Sequence, residues 1–162
     1  MEWMSQLWIT SQERGLAALS WMARRRGRST LPAHLLTGMK GEDAAYFYLR
    51  HKGYIVAARR WSPGHQPGDI DLIAWQGQLL CIIEVKTRTA QDATAAEVAV
   101  DDHKRKMLRR LARQYVRQLP QATAPQVRFD VISVYLVPGQ KPEFVHFEAA
   151  FGWGDRPDYE QR

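Results

Sequence analysis

The segment from Gly68 to Arg88 constrains the fold more than any other part of the sequence. Two apolar runs, Ile70–Trp75 and Leu79–Val85, are separated by a short Gly-containing stretch, which is typical of a β-hairpin. The second run is apolar on both faces, as in a central strand that other elements cover on both sides. The sequence therefore predicts a buried hairpin within a sheet.

Charged residues interrupt this hairpin at one end. Glu84 and Lys86 lie two residues apart, so their side chains share a face, and Asp71 on the first strand reaches the same side if the register permits. Burying one such charge alone costs roughly several kcal/mol unless it is paired or bound to a metal. Two interpretations stay open: a structural ion pair, or a site for a divalent cation, which prefers carboxylate oxygens. At such a site, Lys86 would hold an attacking water or offset charge on a phosphate.

The composition indicates a basic globular protein with an anionic partner. The chain has 162 residues, enough for one domain, and its net charge of +6 favours nucleic acid first and an anionic membrane second. Cys81 is the only cysteine, so no internal disulfide can form, which suits a reducing, cytoplasmic compartment. It lies in the apolar strand and is interpreted as a small buried hydrophobe. No segment of the sequence is long and apolar enough to span a bilayer.

One helix is predicted before the hairpin and one after it. The first runs from Gly41 to Gly53, and Glu42 lies in its first turn, where a negative charge suits the helix dipole. The second runs from Asp101 to Leu119 and has an apolar stripe and an aspartate cap. Its charges from Lys104 onward are all positive. Because like charges one turn apart repel, we interpret this surface as a contact for a phosphate backbone.

Three more strands complete a single α/β domain with a mixed sheet. They are predicted at Tyr54–Trp61, Val127–Val137 and Glu143–Phe147. Asp130 is expected to pair with Arg128, two residues away on the same face. The candidate phosphate contacts are basic residues that follow strands or lie on the long helix: Arg59, Arg60, Arg88, Lys104, Arg105, Arg109 and Arg113.

The N-terminal part differs from the rest in composition. Residues 1–39 are predicted to be an extension, partly helical or flexible, while residues 40–153 form the α/β domain and residues 154–162 a polar tail. Within the extension, Ser29-Thr-Leu-Pro-Ala is interpreted as a linker or a helix break. The extension lacks the charge order and the unbroken apolar core of a secretory signal. It leaves open an amphipathic helix on a membrane or partner surface, and with it a protein-interaction module that docks through this segment.

Four segments together resemble a known family. In chain order they are Gly41-Glu42, Gly68-Asp-Ile-Asp-Leu-Ile-Ala, Ile83-Glu-Val-Lys-Thr-Arg and Arg128-Phe-Asp-Val. This pattern is similar to the YraN-like (UPF0102) bacterial proteins of the PD-(D/E)xK nuclease superfamily. One departure is Asp69, where that family usually has Glu.

The resemblance implies a restriction-endonuclease-like αβββαβ core, a mixed sheet flanked by helices, and metal-dependent hydrolysis of branched or single-stranded DNA. Asp71 and Glu84 would hold Mg²⁺ or Mn²⁺, Lys86 would complete the catalytic group, Glu42 would add an outer ligand, and Lys104 would lie nearby. DNA is favoured over RNA, and a symmetric substrate such as a junction would call for a homodimer. The alternative on the same fold is a nucleic-acid-binding protein without turnover.

Overall fold

The computed structural model describes residues 32–64, 67–89, 100–121 and 124–154. These ranges contain two helices and five strands, and the strands form one sheet in the order β1-β2-β3-β4-β5. Neighbouring strands are antiparallel except β3 and β4, which are parallel. The elements are α1 (Ala33–His51), β1 (Ile55–Trp61), β2 (Ile70–Gln76), β3 (Leu79–Arg88), α2 (Asp102–Gln118), β4 (Gln126–Tyr135) and β5 (Glu143–Phe151).

The predicted hairpin forms the middle of the sheet. β2 and β3 pair antiparallel from Gln76 opposite Leu79 onward, and Gly77 in the turn has a φ of 60°, which glycine adopts without steric cost. Leu80 and Ile82 of β3 belong to one buried cluster, and the alternating residues Cys81 and Ile83 belong to another. β3 is therefore covered on both faces, which confirms the prediction of a central strand.

The two helices lie on opposite faces of this sheet. Leu108 and Leu111 of α2 pack into the cluster that contains Ile82, while Ala45 and Leu49 of α1 pack into the cluster that contains Ile83. Full burial of each leucine contributes about 1.5–3 kcal/mol. This mixed sheet with flanking helices confirms the predicted restriction-endonuclease-like fold class.

Cys81 is packed in the core like its apolar neighbours in β3. Cys81 is free and fully buried. Burial raises the pKa of its thiol to about 11, so the sulfur stays protonated and uncharged at neutral pH. Its interpretation as a small core residue is confirmed.

Helix α1 begins earlier than the sequence indicated. The predicted start at Gly41 was wrong, because the helix begins at Ala33 directly after Pro32. Proline suits the start of a helix, where its missing N–H has no intrahelical partner, so Pro32 marks a helix start rather than a break. Gly41 instead lies in the middle of α1, where a Cβ would come within 1.8 Å of the Thr87 hydroxyl oxygen. Helix α1 thus extends across the domain boundary predicted between residues 39 and 40.

The start of α2 was predicted correctly. The Asp101 side chain accepts a hydrogen bond of 2.8 Å from the Lys104 backbone N–H, which confirms the aspartate cap. Strand β5 is four residues longer than the predicted Glu143–Phe147, because Phe151 continues it and stacks on Phe129 with ring centroids 4.9 Å apart.

Some predictions concern segments at the two ends of the chain. The N-terminal extension up to residue 31 and the tail from residue 155 lie outside the described residues. Neither α1 nor α2 is long and apolar enough to cross a membrane.

Candidate functional site

Two acidic side chains meet at the open end of the hairpin. The β2–β3 register, continued by one residue, places Asp71 beside Glu84. Asp71 lies two residues from Ile73, and Glu84 two residues from Ile82, and both isoleucines belong to the cluster under α2. Because strand residues two apart share a face, both acids project toward the α2 side of the sheet.

Asp71 is a half-buried acid whose charged form is disfavoured. Its Oδ2 accepts a hydrogen bond of 2.7 Å from the Val85 backbone N–H. Burial, and secondly repulsion from Glu84, raise the pKa of Asp71 to about 7, although the Val85 hydrogen bond and the charge of Lys104 act in the opposite direction. Asp71 is therefore close to half-protonated at neutral pH.

Glu84 holds two lysines at once. Its side chain is 4% exposed, with Oε1 lying 2.9 Å from the Lys86 ammonium and Oε2 lying 2.9 Å from the Lys104 ammonium. Burial lowers the pKa of Lys104, but attraction to Glu84, Asp71 and Asp69 outweighs it, so this pKa is raised from its ordinary value. Glu84 and the two lysines thus form a charged group at the edge of the core.

These residues open into a cleft of about 610 Å³ between α1 and the end of β3. Glu42 lies in its wall, and one carboxylate oxygen of Glu42 is 2.5 Å from Nε of Arg60. The cleft is lined by residues of α1, β2 and the end of β3: Ala33, His34, Thr37, Gly38, Glu42, Asp71, Glu84, Val85, Lys86, Thr87, Arg88 and Thr89. All four of the predicted catalytic residues therefore border one cavity.

The first two turns of α1 contribute His34 and Thr37 to this wall, and the sequence reasoning missed both. The misplaced helix start removed them from consideration, because residues before Gly41 were assigned to an extension. The signal that would have found them is Pro32, which favours the beginning of a helix.

The predicted phosphate contacts lie at different places. Arg88 lines the cleft, and Lys104 reaches it through Glu84. Arg59 binds Asp43 of α1, just as Arg60 binds Glu42. These two arginines thus join β1 to α1 beside the cleft.

Two arginines of α2 contact the C-terminal end of the described residues. Arg109 is buried and donates hydrogen bonds to the carbonyl oxygens of Gly152 and Gly154, and the guanidinium of Arg113 lies 5.0 Å from the Trp153 ring centroid. A guanidinium nitrogen of Arg105 lies 3.8 Å from a carboxylate oxygen of Asp102 in the same helix. The contacts of Arg109 and Arg113 hold residues 152–154 on α2, and phosphate binding by Arg105, Arg109 and Arg113 stays a prediction.

A second polar cluster lies on β4 and β5. Asp130 is fully buried and receives two hydrogen bonds of 2.8 Å from Arg128, which confirms the predicted pair. It also accepts from Nε2 of His146 and from the Ala149 N–H, each at 3.0 Å. Burial alone would raise the pKa of Asp130, but the hydrogen bonds from His146, Arg128 and Ala149 outweigh it, so the pKa is lowered.

Replacing Asp71 by Asn should stabilise the metal-free protein at pH 8. The folded protein keeps the Asp71 proton up to a pKa of about 7, whereas an unfolded aspartate loses it near ~4. Stability therefore falls as the pH rises between these values, and Asn, which keeps an acceptor for the Val85 N–H, avoids the loss. The expected gain in the free energy of unfolding is roughly 2–4 kcal/mol at pH 8 and much less at pH 5, measured by urea denaturation in EDTA.

A suitable control for that experiment is Asp102→Asn, because the Asp102 side chain is 88% exposed. Its effect should stay within about 0.5 kcal/mol at both pH values. Equal gains at pH 5 and pH 8 for Asp71→Asn would contradict the raised pKa.

The fold and the cleft define a restriction-endonuclease-like α/β protein with an Asp71 and Glu84-x-Lys86 arrangement. The profile of the uncharacterised protein family UPF0102 matches residues 41–134. The chain belongs to this family, which is part of the PD-(D/E)xK superfamily.

Several curated relatives are similar over most of the chain. A UPF0102 protein of Koribacter versatilis is 48% identical over 120 residues, covering 74% of this chain and 82% of the relative. One from Porphyromonas gingivalis is 40% identical and covers 70% of this chain and 82% of the relative. One from Nocardia farcinica is 35% identical over 136 residues, covering 84% of this chain and the whole of the relative.

Proposed function

We propose that the protein is a metal-dependent nuclease that hydrolyses phosphodiester bonds in DNA. The observation that carries this proposal is the contrast between a half-buried aspartate, Asp71, and a fully buried one, Asp130. Asp130 sits in a satisfied network that lowers its pKa, as a structural ion pair does. Asp71 is placed where burial and Glu84 raise its pKa to about 7, an arrangement that disfavours its charged form. Strongly perturbed acids of this kind, in a cleft, are typical of functional sites.

The donor set of the cleft fits a hard divalent cation. Asp71 and Glu84 offer carboxylate oxygens on one face, and a bound Mg²⁺ or Mn²⁺ would relieve the repulsion between them. Across the described residues, no three His, Cys, Asp or Glu side chains form a metal-binding group. Mg²⁺ commonly needs only one or two carboxylates, with water and substrate phosphates completing its shell. Glu42 in the cleft wall would act as an outer ligand.

The side chains have distinct roles in this proposal. The chemistry supplied by a bound ion would be polarisation of a phosphate oxygen and a lower pKa for water. Lys86 lies 2.9 Å from Glu84, and in this proposal it would donate to the attacking water or to a phosphate oxygen and offset developing negative charge. Arg88, two residues further along the cleft, would contact a flanking phosphate.

A nicking assay on the purified full-length protein tests the proposal. With Mn²⁺ or Mg²⁺, the protein should cleave branched, nicked or single-stranded DNA, and EDTA should abolish cleavage, because the two acids need an ion between them. The assay should use several DNA structures in parallel, since the substrate structure is the least constrained part of the proposal. Failure to cleave any of them with either metal would reject the nuclease assignment.

A second candidate function is nucleic-acid binding without catalysis. It is favoured by the ion pairs that Glu84 and Glu42 form with basic side chains. Glu84 contacts two lysines, and Glu42 contacts Arg60, so two of the three acids that line the cleft are each paired with a basic side chain. In that case DNA binding should survive EDTA and fall steeply with added salt, with no cleavage under any metal. A homodimer and docking through the N-terminal segment stay predictions.

A further inference from the structure

Lys104 lies beside the acidic site and contacts the carboxylate oxygen of Glu84 that Lys86 does not contact. It lies in the first turn of α2, and its backbone N–H donates to the capping side chain of Asp101 at 2.8 Å. Its ammonium lies 2.9 Å from Oε2 of Glu84, and its side chain is 24% exposed. The cap fixes where the lysine stem begins, while the four-carbon stem leaves the ammonium free to rotate.

The two lysines contact different oxygens of Glu84, so each carboxylate oxygen already faces one positive charge. Lys86 contacts Oε1 and Lys104 contacts Oε2, both at 2.9 Å. A cation shared by Glu84 and Asp71 needs a lone pair on Glu84, and its positive charge would repel an ammonium at contact distance. One lysine must therefore retreat when a divalent cation binds.

We propose that Lys104 is a built-in counter-ion of Glu84 that a divalent cation displaces, and that a phosphate group entering the cleft then receives the displaced ammonium. The inference rests on the proposed function of the same site. Lys86 lies on the same strand as Glu84, two residues away, whereas Lys104 belongs to a separate helix, so Lys104 is the lysine that can leave without disturbing the sheet.

Cooperativity between metal and polyanion follows from this exchange. Without phosphate, binding of the ion must break the ion pair between Lys104 and Glu84 and leave the ammonium in water. With phosphate in the cleft, the ammonium gains a charged partner as it leaves. Linkage requires the effect to be reciprocal, so the ion also strengthens binding of the polyanion. Lys104 is in this view a positioning residue for the ion rather than a group that reacts.

The metal alone provides the first test. Mn²⁺ affinity would be measured by isothermal titration calorimetry on the full-length wild type, on Lys104→Met and on Lys104→Gln, which remove the charge and keep most of the length. Both variants should bind Mn²⁺ roughly tenfold more tightly, a factor within the usual range for coupled sites. Lys106→Met removes an exposed charge from the same helix and should leave the affinity unchanged.

A second titration tests the coupling. A single-stranded oligonucleotide with cleavage-resistant phosphorothioate linkages should tighten Mn²⁺ binding by the wild type several-fold, about 5-fold or more. In Lys104→Met most of this enhancement should be lost, because no ammonium remains to be transferred. Melting curves give an independent reading: Mn²⁺ should raise the Tm of Lys104→Met more than that of the wild type, even if the variant is less stable without metal.

The outcomes separate this inference from the function it rests on. If the wild type cleaves DNA with Mn²⁺ but both Lys104 variants bind Mn²⁺ no more tightly than it does, the inference is wrong and the proposed function stands. If neither wild type nor variants bind Mn²⁺, both are wrong. Weaker Mn²⁺ binding by the variants would make Lys104 a supporting residue and would also overturn the inference.

Discussion

Replacing Glu84 by Gln should lower metal-dependent DNA cleavage by at least about 100-fold while the protein stays folded. Gln keeps the shape of the side chain but loses the charge that holds Lys86 and would hold the ion. The preceding residues of β3 are apolar and buried in the two core clusters, so the hairpin should keep its register. Initial rates under saturating Mn²⁺, with circular dichroism to check folding, provide the measurement. Lys86→Met should cause a loss of similar size.

The matched control is Glu143→Gln, an exposed glutamate at the start of β5. It makes the same chemical change on the same sheet and should retain cleavage within about twofold, because surface substitutions away from a site have small effects. If Glu84→Gln cleaves as fast as Glu143→Gln, then Glu84 and its neighbours do not form the catalytic group.

Replacing Asp130 by Ala should destabilise the protein by about 3–5 kcal/mol. The Asp130 carboxylate is fully buried and accepts hydrogen bonds from Arg128, His146 and the Ala149 N–H. Its removal leaves the guanidinium of Arg128 without its bidentate partner and His146 without its acceptor. A domain of this size is stable by only about 5–15 kcal/mol, so the variant should lose a large part of its stability in urea denaturation.

Glu148→Gln gives a comparison on the same arginine. Glu148 contacts Arg128 at 3.0 Å, but its side chain is 49% exposed, so the pair should contribute less than about 1 kcal/mol. Losses of equal size in Asp130→Ala and Glu148→Gln would show that burial does not decide the strength of this cluster. Cleavage by Glu148→Gln should match the wild type, because neither Glu148 nor Asp130 lines the cleft.

Local patterns predicted the centre of the fold well. The hairpin, the double coverage of β3 and the cap of α2 depend on residues close in the chain, and alternation and capping rules capture them. The predicted start of α1 was wrong, because Pro32 was assigned to a helix break although proline is also favourable at a helix start. Alternation along β3 also predicts that Glu84 and Lys86 share one face.

Contacts between distant segments were beyond the reach of the sequence. Helix α2 belongs to the crossover connection that joins the adjacent parallel strands β3 and β4, and this connection brings Lys104 to Glu84. His146 of β5 and Tyr54, directly before β1, reach the Asp130 cluster, and this depends on strand order. Resemblance suggested that Lys104 lies near the site, but its particular partner and the pairing of Arg59 and Arg60 with α1 followed from the packing of whole elements.

Because Gly41 has no side chain, α1 can lie close to β3, and this distance determines the width of the cleft. Helix α1 packs so closely against the Thr87 side chain that a methyl group at position 41 would not fit between them. The helix therefore lies close to β3 at this point. Glu42, the next residue, and Thr37, one turn earlier, owe their places along the rim to that closeness. A larger residue at position 41 would push α1 away from β3 and widen the cleft. Glu42 would then lie further from Asp71 and Glu84, although the substituted side chain contacts neither acid.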